Sequence, residues 1–196
     1  MSYDYYGIYR SCRDAAWQCQ IDFDIRCLPV KLKSATSRAG IRVLRNSQVG
    51  ELRGEEAGAS IYCNGNWYIV YDDTLDTIQS RIVIAHELGH ILLGHEYKYA
   101  ELRFGHVNKK LKCEREADMF AVRLLAPACV LHELGVVEAT DIAQLCQIPQ
   151  HVAAARARRM KVLEARGSYY SSPLECEVCE KFADFINEKR SFGDML

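Results

Sequence analysis

The stretch IVIAHELGHILLGH, residues 82–95, sets His86, Glu87 and His90 inside a run of Ile, Val, Leu and Ala. Its apolar spacing predicts a helix from Thr74 to about His95, with Ile78, Ile82, Ala85 and Leu92 on one side and Ile84, Leu88 and Ile91 on another. Such a helix is apolar nearly all round and is expected to be largely buried. Burying an unpaired polar group costs on the order of several kcal/mol, so two imidazoles and a carboxylate placed there call for something that binds them. Residues four apart lie one turn above each other, which lets His86 and His90 point at one ion. Glu87, one step round, cannot share that direction but can reach a water beside the ion. The spacing is HExxH, in which two imidazoles hold zinc and the glutamate is the general base.

A catalytic zinc needs a third protein ligand and one open position. The next helix, expected over Lys110 to about Leu125 and ended by Pro127, carries CEREADMFAVRLLAP, residues 113–127. At about 100° per residue, Ala117, Phe120, Ala121 and Leu124 form its apolar face. Glu114 and Asp118 share one flank of that face, while Glu116 falls on the other with Arg123 and Arg115 faces away. If the two helices form an antiparallel hairpin, Glu114 meets His90 at similar height and Asp118 comes level with His86. Glu114 is then the third ligand, Asp118 the acceptor that fixes the His86 tautomer, and Glu116 the fallback ligand.

HELGHILLGH together with EREADMFAVRLLAP resembles the signature of the ImmA/IrrE metallopeptidases, which joins HELGH to a downstream E-x-E-A-x-x-F-A-x-x-L-L-x-P. By pattern the resemblance spans roughly residues 28–165 and is strongest from Arg81 to Pro127; WYIVYDD, before the HExxH helix, looks like that family's hairpin. It implies zinc on His86, His90 and Glu114 with Glu87 as base, and a protein substrate of the helix-turn-helix transcriptional repressor class. Mn and Fe remain alternatives to zinc. The fold expected is α+β and zincin-like, mostly helical with a small antiparallel sheet, followed by a helix-turn-helix-like module. Three segments are expected: residues 1–127 as the metallopeptidase core, 128–166 as the helical module, and 167–196 as a C-terminal tail that carries the CxxC and ends in a short amphipathic piece around Phe182 to Ile186.

Upstream of the motif, Ile8, Cys12, Ala15 and Cys19 mark a helix over residues 5–20 with Trp17 beside the stripe. A second helix is expected to start at Leu28-Pro29 and end near Gly40, since proline suits a first turn. IRVLRN and ASIYCNGNWYIVYDD read as strands after the polar loop ELRGEEAG, with Asn64-Gly65 as a hairpin turn. Clefts of this type commonly bind an extended peptide along a sheet edge, expected here at Trp67 to Tyr71. For the oxyanion, His95, Tyr97, Tyr99 and His106 are the nearby donors, with none favoured.

The chain has 196 residues and a formal net charge of -1, so no global field steers it to nucleic acid or to an anionic membrane. No apolar run approaches the roughly 18 residues of a membrane span, and the start MSYDYYGIYR has no apolar signal region. The expected compartment is the cytoplasm. Nine scattered cysteines, an odd number, do not form a disulfide framework. Cys176 and Cys179 have ligand spacing but lack the second pair that a closed zinc site needs. Thr140 is expected to cap the first helix of the 140–165 module, and Arg156, Arg158, Arg159, Lys161 and Arg166 on the second suggest phosphate contact. The rival reading is therefore a DNA-binding or partner-binding regulator with a structural zinc. Against it, PQHVAAAR offers few side chains that read base edges.

Overall fold

A tight turn organises the sheet. Asn64 and Gly65 both take left-handed backbone angles, φ 49° and 78°, as a two-residue hairpin turn of this type requires. They join strands β2 (Gly58–Cys63) and β3 (Asn66–Tyr71), which pair antiparallel from Gly58 opposite Tyr71 to Cys63 opposite Asn66. The computed structural model describes residues 3–95 and 107–193. Strand β1 (Arg42–Arg45) adds to the far side of β3 in parallel, so the sheet runs β1-β3-β2 and is mixed. The expectation of a purely antiparallel sheet is corrected here: the loop after β1 carries the chain across the sheet before the hairpin begins. β3 is the central strand, with Ile69 and Val70 fully buried, and cannot offer the free edge first assigned to it.

The chain divides into two compact units. The first comprises Met1–Ala16 and Leu32–Ala121. It holds the sheet, the short helices α2 (Leu32–Arg38) and α3 (Asn46–Val49), helix α4 (Thr77–Leu92) and most of α5 (Val107–Leu125). The helix preceding these, α1 (Tyr3–Asp22), buries Cys12, Ala16, Trp17 and Cys19, so Ala16 replaces Ala15 in the stripe. α2 begins at Leu32, three residues beyond Pro29, and ends before Gly40, whose φ of 70° suits glycine.

Helix α4 starts sharply because Asp76 caps it, its carboxylate accepting the Gln79 N–H at 2.8 Å. It packs on β2 and β3. Its buried stripe is narrower than the sequence implied: Ala85, Leu88 and Gly89 are buried with the site residues, while Ile78 and Leu92 near its ends are 41% and 38% exposed. α5 crosses it antiparallel, and the two approach closely at Gly89, where an added Cβ would lie 3.0 Å from Phe120 Cδ1 and 3.3 Å from Ala117 Cα.

The second unit comprises Trp17–Lys31 and Val122–Leu196. Its helices are α6 (Ala128–Glu133), α7 (Ala139–Cys146), α8 (Gln150–Ala165), α9 (Pro173–Lys181) and α10 (Ala183–Gly193). Within it, Gln20 donates to the Leu124 carbonyl at 2.9 Å and Arg156 to that of Ala126 at 2.6 Å, occupying acceptors left open at the end of α5. α7 and α8 turn at Gln147, φ 51°, before Pro149. Glu138, not Thr140, holds the cap position of α7. The segment read as a tail is two helices, with Val178 and Phe182 fully buried. Proline at the start of α9 and apolar residues too sparse for a clear stripe hid the first of them. Among the described residues, no helix is long and apolar enough to cross a membrane.

Candidate metal centre

The structure brings His86, His90, Glu114 and Asp118 together, all within the first unit. His86 Nε2 lies 2.9 Å from His90 Nε2 and 3.2 Å from Glu114 Oε2, and His90 Nε2 lies 3.6 Å from that same oxygen. Tetrahedral zinc with bonds of about 2.0 Å has ligand-to-ligand edges of about 3.3 Å, so the three separations bracket what one ion would impose.

The donor set agrees with that geometry. Asp118 lies 2.8 Å from His86 Nδ1, and the carboxylate accepts the proton there, so in neutral His86 the lone pair is on Nε2. His90 Nδ1 faces His95 Nδ1 at 2.9 Å, and when His90 donates along that contact its Nε2 is bare as well. Two lone pairs and a carboxylate then converge with no proton among them, an arrangement that a cation satisfies. The residues present fit a divalent metal.

Electrostatics prepares the two imidazoles differently. Burial works against charging His86, yet its bond to Asp118 and the fields of Glu87, Asp118 and Glu114 prevail and raise its pKa above the ordinary 6.5. Burial lowers the pKa of His90 to about 4, helped by His86 beside it, so this ring is neutral and able to bind a metal at pH 7. The centre is accessible on one side: the Glu114 side chain is 40% exposed and that of Asp118 69%, against 7% for His90.

Glu87 points from the same helix toward the sheet. It is buried, and a Cβ added at Gly58 on β2 would lie 3.1 Å from Glu87 Cγ and 3.3 Å from Glu87 Oε1. The strand bordering the site is thus β2, an edge strand, and not the Trp67 to Tyr71 strand. Glu116, the fallback ligand, turns the other way and meets His95 Nε2 at 2.8 Å; its helical position about 160° from Glu114 points it away from the centre. Tyr97, Tyr99 and His106 lie outside the described residues.

Two residues escaped the sequence reading. Gly89 stood as an unremarked member of HELGH, although a glycine inside a helix is itself a signal of close backbone approach. His95 was weighed only as an oxyanion donor, yet it is fully buried against His90. Among the described residues, neither of the two groups able to hold a metal, His86/His90/Glu114 and His95/Cys113/Glu116, includes Cys176 or Cys179. Cys179 instead accepts a hydrogen bond from the buried, free thiol of Cys129, which together with burial pushes that thiol's pKa upward.

A comparison with curated proteins finds no match. The sequence model of Peptidase_M78, the IrrE N-terminal-like domain, matches residues 36–158, and the chain belongs to this family of metallopeptidases.

Proposed function

From that membership we propose that the chain is a zinc-dependent endopeptidase of the HExxH…E type, with His86, His90 and Glu114 as metal ligands and Glu87 as general base. The observation that carries it is the convergence of His86 Nε2, His90 Nε2 and Glu114 Oε2 at 2.9–3.6 Å, with the Asp118 carboxylate on the same helical flank as Glu114. Bound there, zinc would supply Lewis-acid polarisation of a peptide carbonyl and a water acidified toward neutrality.

The chain's own residues supply the rest. Glu87, held between α4 and β2, takes a proton and returns it to the departing amine, a role that asks for a carboxylate within hydrogen-bond reach of the reacting atoms. Asp118 accepts the His86 Nδ1 proton, fixes that ring's tautomer and turns its Nε2 toward the centre. An extended segment of substrate runs along β2, the outer strand of the described sheet, which brings its backbone past Glu87 at Gly58. The substrate class that the family resemblance suggests is a helix-turn-helix repressor, met in the cytoplasm.

The DNA-binding alternative loses support. Arg156, one of five basic residues counted toward phosphate contact, is 5% exposed and spends its Nε on the Ala126 carbonyl. Nothing in the α7–α8 pair favours it over a helical packing unit.

The test is co-expression with candidate repressors, comparing the intact chain with Glu87→Gln and measuring zinc by mass spectrometry. Expected are one zinc per chain in both and cleavage only by the intact chain. A Glu87→Gln chain that still cleaves, or an intact chain without metal, would refute the reading.

A further inference from the structure

Resting on this reading of the metal centre, we propose that His95 and Glu116 form a buried proton-ordered relay, Glu116–His95–His90, that positions the His90 ligand. His95 contacts partners at both ring nitrogens. Its Nδ1 lies 2.9 Å from His90 Nδ1, and its Nε2 lies 2.8 Å from Glu116 Oε2. His95 is fully buried and the Glu116 side chain is 10% exposed.

With His90 ligating through Nε2, one proton assignment satisfies both of these contacts. A neutral His90 that ligates through Nε2 carries its proton on Nδ1 and must donate it. The facing His95 Nδ1 must then be bare, which puts the His95 proton on Nε2, where the Glu116 carboxylate accepts it. Each bond selects the next, and the carboxylate at the end sets the direction of the whole series. His86 receives the same service from one exposed carboxylate, Asp118; His90, deeper in the fold, receives it through a second imidazole.

The same side chains could be read as a second metal site with Cys113, since His95, Cys113 and Glu116 offer ligand atoms within 4.8 Å of one another. Proton counting disfavours that. An ion on His95 Nε2 and another on His90 Nε2 would leave a single proton for two facing Nδ1 atoms and force one ring to be an imidazolate. A metal at His95 therefore competes with the metal at His90, whereas the relay supports it.

The experiment uses the full chain loaded with zinc. Long-range proton–nitrogen NMR of the histidine rings is expected to show His95 protonated on Nε2 and bare at Nδ1; the opposite tautomer would overturn the relay without any variant being made. Zinc affinity, read by competition with a chromophoric chelator, is expected to fall about 10–100-fold in His95→Leu and Glu116→Gln. His95→Gln, whose amide can accept from His90 and donate toward Glu116, is expected to recover most of the loss. A His95→Leu affinity within twofold of the intact chain, or two zinc ions held per chain, would reject the relay while leaving the His86/His90/Glu114 centre standing. An intact chain that binds no zinc, or a His86→Ala chain that binds it equally well, would instead remove the centre and the relay with it.

Discussion

Replacing Gly89 by alanine sets two measurable effects against each other. In an exposed helix the change stabilises by about 0.5–1 kcal/mol, because glycine loses more backbone freedom on folding. Here the new methyl would sit 3.0 Å from Phe120 Cδ1 and 3.3 Å from both the Cα and the carbonyl oxygen of Ala117. Carbon atoms rest at about 3.5–4.0 Å, so α5 must retreat by a few tenths of an ångström. Its Phe120 is fully buried, and the other two atoms belong to backbone, so no flexible group can absorb the shift. Overpacking of this kind costs about 1–3 kcal/mol, leaving a net loss between about zero and about 2.5 kcal/mol. Ala117 sits between Glu114 and Asp118 in sequence, so the retreat carries the third ligand with it, and metal sites tolerate only about 0.2 Å. Urea unfolding in chelator and in zinc separates the two effects. At a zinc concentration a hundred times the intact chain's Kd, binding adds about 2.7 kcal/mol; for a variant that binds tenfold more weakly the increment is about 1.4 kcal/mol. A Gly89→Ala chain that is more stable without metal and keeps the full zinc increment would show that the helices are not held apart by this contact.

Gly58→Ala should act on catalysis rather than on metal: its Cβ would fall 2.5 Å from Val83 Cγ1 and 3.1 Å from Glu87 Cγ, so turnover should drop by about tenfold or more while zinc content is retained, and equal turnover would dissociate β2 from the base. Zinc uptake slightly above pH 6.5 should release a proton, because the raised pKa of His86 keeps that ring partly charged when metal-free, whereas His90, at about 4, has none to lose; calorimetry in buffers of different ionisation enthalpy measures it, and zero release contradicts the assignment. The metal-free fold should lose the His90 contribution as pH falls from 6.5 through about 4, since the unfolded ring takes up its proton first; chelator-treated unfolding curves of the intact chain and of His90→Ala that run parallel across this window would contradict it. Arg156→Leu removes a buried donor from the Ala126 carbonyl and should cost about 1.5–3 kcal/mol in thermal unfolding with no change in zinc affinity.

The helices and the hairpin were readable in the sequence wherever one local rule decided the outcome. Asn64-Gly65 needs left-handed angles and obtains them; the start of α4 was placed three residues early, at Thr74, because apolar spacing does not show that the Asp76 carboxylate caps the helix at Thr77. The residues that gather at the candidate centre were readable because a helix fixes angular relations: His86 with His90, and Glu114 with Asp118, follow from the i, i+4 step alone. What local rules left open was decided by tertiary pairing. Whether β3 lies at the edge or in the middle depends on where β1 docks, a contact whose partners are 26 residues apart, and no periodicity encodes it. The α9 helix was hidden for a related reason: it buries only Glu175 and Val178 and ends at the buried Phe182, with no regular stripe.

Gly89 and Ala117 explain why the two halves of the site can meet at all. Ligand atoms must come within about 3.3 Å of one another across the two helices, whereas ordinary helix pairs run with axes about 8–10 Å apart, separated by their side chains. Small residues on both sides of the crossing bring the backbones closer, and helical geometry then distributes the polar groups around that contact. On α5, Glu114 and Asp118 fall to one side of Ala117 and Glu116 to the other. The first two face the imidazoles on the exposed flank, at 3.2 Å and 2.8 Å from His86, and the third closes the buried flank on His95. One stretch of helix thus carries the proposed metal ligand, a carboxylate against His86, another against His95, and the gap that lets the two helices approach. A larger side chain in place of Ala117 would therefore weaken metal binding even with every ligand intact, and Ala117→Val, which lengthens no polar side chain and removes none, isolates that claim: its zinc affinity should fall with that of Gly89→Ala, and an Ala117→Val chain that binds like the intact one would separate the crossing from the centre.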